Sequence, residues 1–178
     1  HVNIVRGSSS WVDKSGCRDF DTLEDHDSTI ISNHNKTVSV NDDVVSLGDF
    51  VFGKGYLAAE RFLNVLNFKT LYYVYGNHDR PMEDFFAKYG NKVSMNGKTV
   101  ISMGHYFEYS FHVAFKHYQD FIFCHYPFLR WNKCHRGSIN CFGHEHGHIN
   151  KLIEEILPQA RMFDAGMECI DYTPISIE

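Results

Sequence analysis

The sequence predicts an α/β protein of two stacked, mixed β-sheets flanked by helices, and three observations carry that prediction. Up to residue 90, short apolar runs alternate with amphipathic stretches, the strand–helix–strand–helix pattern of a parallel sheet. Beyond residue 90 the texture turns β-rich, which reads as the strands of a second sheet. Four apolar runs stop abruptly on aspartate, asparagine or histidine, as strands do where they feed a ligand-bearing loop.

Asp21 and Glu24 form an Asp-x-x-Glu start signal around Leu23, ahead of Ile30 and Ile31, so a helix is expected over about 22–34. Asn41-Asp42-Asp43 reads as a turn, and VVSL (44–47) as a buried strand ending at Gly48. After GKGY, the segment LAAERFLNVL reads as a helix whose Leu57, Phe62, Val65 and Leu66 share one face. TLYYVY (70–75) is the next buried strand, and PMEDFFAKY opens a helix with Pro81 at its first position. KVSMNGKTVISM is a hairpin with Asn96-Gly97 at the turn. EYSFHVAF, DFIFCHY, SINCFG, ARMFDAG and YTPISIE read as further strands.

Composition narrows the function classes. A length of 178 residues suits one domain spanning 1–178, and 43% hydrophobic against 22% charged residues describes an ordinary globule. A formal charge of −5 provides no basic field for an extended nucleic acid. No window has the length of a membrane span, so a soluble, cytoplasmic protein is expected. Five cysteines are scattered without a CxxC, which favours reduced thiols over a disulfide framework; Cys134 and Cys141 lack the close pairing of a structural zinc site. Twelve histidines suggest metal or proton chemistry.

The strand ends locate that chemistry. VVSLGD delivers Asp49, YVYGNHDR delivers Asn77, His78 and Asp79, FIFCHYP delivers His125, and NCFGHEH delivers His144 and His146. Gly76 is expected to let the backbone turn sharply ahead of its three polar neighbours. In an extended GHEHGH segment His144 and His146 would share one side and flank a metal. Taken singly, each piece has a plainer reading: a turn for Gly-Asp, a hydrogen-bonded core histidine for His125, a solvated loop for GHEHGH. Oxygen and imidazole donors suit Mn²⁺, Fe, Zn²⁺, Co²⁺ or Ni²⁺ and disfavour Ca²⁺. One carboxylate among imidazoles can bridge two ions about 3.5–4 Å apart.

Taken together, SLGDF, YGNHDR, CHYPF, GHEH and the tail FDAGMECIDYTPISIE resemble the calcineurin-like metallophosphoesterase family, in its small bacterial and phage members, over most of the chain. The resemblance implies an α-β-β-α sandwich that hydrolyses phosphodiesters or phosphomonoesters through a hydroxide held between two divalent transition-metal ions, manganese foremost. Carried across residue by residue, it implies that Asp49 is shared by both ions. Asn77, His125 and His144 then complete one ion's shell, and His146 binds the other. It further implies that His78 protonates the leaving oxygen while Asp79 orients its ring; Arg80 either contacts phosphate or forms a surface ion pair. The family's Asp-x-His motif is not found upstream of SLGDF. The opening HVNIV resembles the residues on the C-terminal side of that motif, so its ligands and the first strand are expected to precede His1. Asp21 and His26 have the wrong spacing to replace them. A small phosphoester is the expected partner, with Arg130 and Trp131 either lining the mouth or packed on the surface. The alternatives are a catalytically weak metal-binding scaffold for protein partners and, second, a nuclease.

Overall fold

The structure, a computed structural model, describes residues 18–114 and 117–177. The HVNIV segment therefore lies outside the described residues. The described elements are α1 (Leu23–Thr37), β1 (Asp43–Ser46), α2 (Tyr56–Val65), β2 (Thr70–Tyr73), α3 (Arg80–Tyr89), β3 (Lys92–Met95), β4 (Lys98–Ser102), β5 (Tyr106–Ala114), β6 (His117–Cys124), β7 (Ile139–Phe142), α4 (Asn150–Ile156) and β8 (Met162–Asp164). One sheet has the order β1-β2-β4-β3 and the other β5-β6-β7-β8. Both are mixed: β1, β2 and β4 run parallel with β3 antiparallel. In the second sheet β6, β7 and β8 run parallel with β5 antiparallel. Among the described residues no helix is long and apolar enough to cross a membrane.

Two apolar layers hold the sheets, and the period of two along each strand separates them. Leu71 and Tyr73 of β2 join Ala59, Leu63, Phe68, Met82, Phe85 and Val100 in the layer under α2 and α3. Val74 turns to the opposite face and meets Phe121, Phe123 and Cys141, with Val45, Leu47, Phe107 and Ile139 packed around them. That second layer draws on both sheets, so they are stacked face to face. Each large side chain buried in these layers stabilises the fold by about 1.5–3 kcal/mol.

Local chemistry explains most boundaries. The N-cap of α1 is Thr22 rather than Asp21, its hydroxyl accepting the Asp25 amide at 3.0 Å. Asn96 and Gly97 both have positive φ (49° and 78°), the conformation of a tight hairpin turn between β3 and β4. Of the face expected for α2, Phe62 and Leu66 pack into the core whereas Leu57 and Val65 are 59% and 48% exposed, and Ala59 and Leu63 take the buried positions. The helix carries apolar residues around much of its circumference, and the sheet accepts only the stripe whose small Ala59 allows close approach. YTPISIE forms no strand within the described residues; Tyr172 and Thr173 donate to the carbonyls of Met167 and Ile170 in turns at 2.9 and 3.0 Å. Helix α4 appears where the sequence reading placed no element.

α1 is anchored through histidines. His34 donates from Nε2 to the Asn67 carbonyl at 2.8 Å, and burial lowers its pKa below the ordinary 6.5 against the raising effect of that bond. His26 is lowered likewise, by burial and then by the Arg18 charge, despite its bond to Asp27. The folded state therefore keeps both rings neutral while the unfolded chain takes up protons at ordinary values, so stability is full above pH 6.5 and falls as pH drops below it. In denaturant titrations across that range, His34→Gln, which retains the donor to Asn67, should show a shallower loss of stability than the parent. An unchanged slope would contradict this assignment.

Candidate metal centre

The site forms where parallel neighbours from both sheets end on the same side. β1 runs into Leu47-Gly48-Asp49 and β2 into residues 74–79, while β6 and β7 lead to His125 and His144. Two glycines let the first pair of loops touch. A Cβ on Gly48 (φ +93°) would stand 2.3 Å from the Gly76 amide nitrogen. A Cβ on Gly76 would stand 2.2 Å from Asp49 Oδ1 and 2.8 Å from His125 Cε1. Gly76 thus serves the close approach of the two loops. Beneath them lies Asp79, 2% exposed. Its Oδ2 accepts the amides of Gly76 (2.6 Å) and Asp49 (2.9 Å), and its Oδ1 accepts that of Phe50 (3.1 Å). Both oxygens accept backbone amides, with the Tyr73 side chain against the carboxylate, and among the described residues no bond runs from it to the His78 ring that Asp79 was expected to orient.

Above this floor, acceptor atoms crowd together. His125 donates from Nδ1 to the Leu47 carbonyl at 2.7 Å, which leaves its electron pair on Nε2. That nitrogen lies 2.9 Å from Asn77 Oδ1, 3.2 Å from His144 Nδ1 and 3.4 Å from Asp49 Oδ2. Asn77 Oδ1 is also 2.9 Å from His144 Nδ1. With metal–donor bonds of about 2.1 Å, the edges of an octahedral or tetrahedral shell run from about 3.0 to 3.4 Å. The spacings of 2.9, 3.2 and 3.4 Å about His125 Nε2 lie in or close to that range, and an imidazole, amide and carboxylate set could hold a transition-metal ion. Among the described residues, Asp49, His125 and His144 are the one group of metal-capable side chains brought together in this way.

The local electrostatics keep Asp49 ionised and separate the two imidazoles. Burial alone would raise the Asp49 pKa, but the contacts with His125 and the His78 amide hold it lower than usual. Burial would likewise lower that of His125, yet its bonds to Asp49 and the Leu47 carbonyl, with the Asp49 and Asp79 charges, hold it high. His144 is pushed down, first by burial and then by the His125 charge. Asp49, His144 and His146 all have positive φ, at 52°, 67° and 51°. For non-glycine residues such values carry a cost of about 1–3 kcal/mol each, which the surrounding contacts must offset.

The remaining candidates divide. GHEHGH is not extended: the left-handed residues part its histidines, sending His144 to His125 and Asn77, and His146 Nδ1 to Glu168 Oε1 at 2.9 Å. His78 is exposed at the rim, its amide donating to Asp49 Oδ1 at 2.8 Å and its ring 5.0 Å from that of Phe52. Arg80 pairs with Glu83 (3.7 Å) and Asp84 (3.1 Å) on its own helix, the surface ion pair of the two readings. Arg130 is exposed, and Trp131 donates from Nε1 to Ser138 Oγ at 2.9 Å, bracing its own loop. The four described cysteines are free thiols, with burial pushing Cys141 up to about 12.

Several supporting residues escaped the sequence reading. Asn140, fully buried, accepts the Phe128 amide at 3.1 Å and braces the loop after His125. Asp164 accepts the amides of Gly147 (3.0 Å) and Gly166 (2.8 Å), tying the His146 loop to the tail. Arg18 and Glu168 form a 2.7 Å ion pair behind His146. The one available signal for these was position: Asp164 and Asn140 lie in the apolar runs that feed or border the site.

No known protein-family profile matches the chain, and no solved structure matches it. An uncharacterized protein of Methanocaldococcus jannaschii is 26% identical over 180 residues, an alignment covering all of this chain and 81% of that relative.

The Asp79 geometry generates a stability prediction. Asp79→Ala leaves three partly buried amides without their acceptor and should lower the unfolding free energy by about 3 kcal/mol or more. His78→Ala, at the exposed rim, should cost less than about 1 kcal/mol. Similar losses in urea unfolding of the two variants would refute the bracing role of Asp79.

Proposed function

We propose that this chain is a metal-dependent phosphoester hydrolase of the calcineurin-like metallophosphoesterase type, with its two stacked sheets and outer helices as the family's α-β-β-α sandwich. The observation that carries the reading is the meeting of four strand ends at His125 Nε2, which lies 2.9 Å from Asn77 Oδ1, 3.2 Å from His144 Nδ1 and 3.4 Å from Asp49 Oδ2. In this reading those four residues hold one divalent ion, manganese foremost, and His146 contributes to a second that shares Asp49. The chemistry supplied by such ions when bound is Lewis acidity toward a phosphoryl oxygen and a lowered water pKa.

The chain's own residues do the rest. Asp79 holds Asp49 and Gly76 at a fixed separation, so the ligand-bearing loops meet substrate without rearranging. His78 has its backbone locked to Asp49 and its ring resting near Phe52, leaving the imidazole at the exposed rim. From there it passes a proton to the departing ester oxygen as the phosphorus–oxygen bond breaks, which neutralises the developing alkoxide. Arg80 is engaged by its own helix, so phosphate charge is met by the metal site and His78.

The test is hydrolysis of bis(p-nitrophenyl) phosphate and p-nitrophenyl phosphate by the whole chain with Mn²⁺, alongside metal analysis. Hydrolysis is expected in the parent. His78→Ala should lower kcat by about 10²–10⁴ with metal content unchanged, whereas Asp49→Ala should lose both metal and turnover. A metal-loaded parent that cleaves neither ester would overturn the reading and favour a metal-binding scaffold.

A further inference from the structure

A chain of charged and polar groups, spanning α1 and the tail, ends on His146. Its members are Asp27 and His26 on α1, Arg18 just ahead of that helix, Glu168 in the tail, and His146. We infer that Glu168, itself held by Arg18, is a positioning residue that keeps the proton of His146 on Nδ1. The ring's electron pair is thereby kept on Nε2, one of the two ring positions through which an imidazole ligates a divalent ion.

Donor capacity decides the assignment. A guanidinium has donors only, and it stays charged. Arg18 Nη1 lies 2.7 Å from His26 Nε2, so that nitrogen accepts and the His26 proton sits on Nδ1. There it donates to Asp27 Oδ1 at 2.7 Å. On the other side Arg18 donates from Nε to Glu168 Oε1 at 2.7 Å, across 150 residues of sequence. A carboxylate in that ion pair is an anion and accepts only. His146 Nδ1, 2.9 Å from the same Oε1, must therefore be the donor. One assignment satisfies all five groups.

The surroundings agree. Arg18 is only 9% exposed, so its charge needs a fixed partner. Burial alone would raise the Glu168 pKa, but the bonds from His146 and Arg18 bring it to about 2. Oε2 of Glu168 is buried and has no hydrogen-bond partner among the described residues, so both donors bear on Oε1. Carboxylate groups behind ligating histidines orient the ring and fix its tautomer in this way, and removing one typically costs about 10–100-fold in metal affinity. The inference rests on the functional reading only in taking His146 as a metal ligand.

The test reads the tautomer directly. Long-range proton–nitrogen correlation spectra of the ¹⁵N-labelled, metal-stripped whole chain, at mildly alkaline pH, assign His146 by the signals lost in His146→Gln. The expected result is a protonated Nδ1 and an unprotonated Nε2 for both His146 and His26; an Nε2–H form or an even mixture at His146 would overturn the inference. Glu168→Met should shift His146 toward a mixture and weaken Mn²⁺ binding by about 10–100-fold. Glu168→Gln, whose amide oxygen still accepts from Nδ1, should restore the tautomer and most of the affinity. Retention of the parent tautomer and Mn²⁺ affinity in Glu168→Met would also overturn it. Should that variant fail to fold, the parent spectrum and Glu168→Gln decide the matter. A parent that hydrolyses no phosphoester counts against the functional reading alone, because the tautomer is read without turnover.

Discussion

One buried carboxylate holds the candidate centre together. Asp79 accepts backbone amides from two loops that are 30 residues apart in sequence, and its position fixes how closely Asp49 can approach Gly76. Burying an anion is costly unless hydrogen bonds replace the lost water, and three amides supply that replacement here. The gain is geometric. With the two loops stapled, Asn77 Oδ1 and Asp49 Oδ2 lie 2.9 and 3.4 Å from His125 Nε2.

The staple works because the strands below it are parallel neighbours. β1 and β2 share a direction, as do β6 and β7, so four loops leave the sheets on the same side. The apolar layer between the sheets sets the distance between the two pairs. Asp49, His144 and His146 then adopt left-handed backbone, a local cost that the rigid framework absorbs.

A second layer of support comes from parts of the chain remote in sequence. Asn140 braces the loop after His125, Asp164 ties the His146 loop to the tail, and Glu168 links that loop to Arg18 ahead of α1. Asn140 lies within NCFGHEH, and Asp164 and Glu168 within FDAGMEC, yet neither string tells which distant group each side chain meets. A side chain that accepts an amide from a distant loop looks, in sequence, like any polar residue in a strand or turn.

The legible part of this protein was what local chemistry dictates. Asn96-Gly97 demands a tight turn, and Pro81 suits a first helical turn. The apolar runs at 44–47 and 70–75 are too short and too β-branched or aromatic for helices. The types of donor at the strand ends were equally plain. Other features depend on partners that a linear pattern does not contain. Ala59 rather than Leu57 faces the sheet because of the space available there, and YTPISIE stays irregular because no strand edge pairs with it among the described residues. His144 and His146 separate because their backbones turn left-handed. The sequence by itself determined which atoms could bind a cation. Only the tertiary structure decided which of them meet, since hydrogen bonds across tens of residues, not spacing along the chain, set those distances.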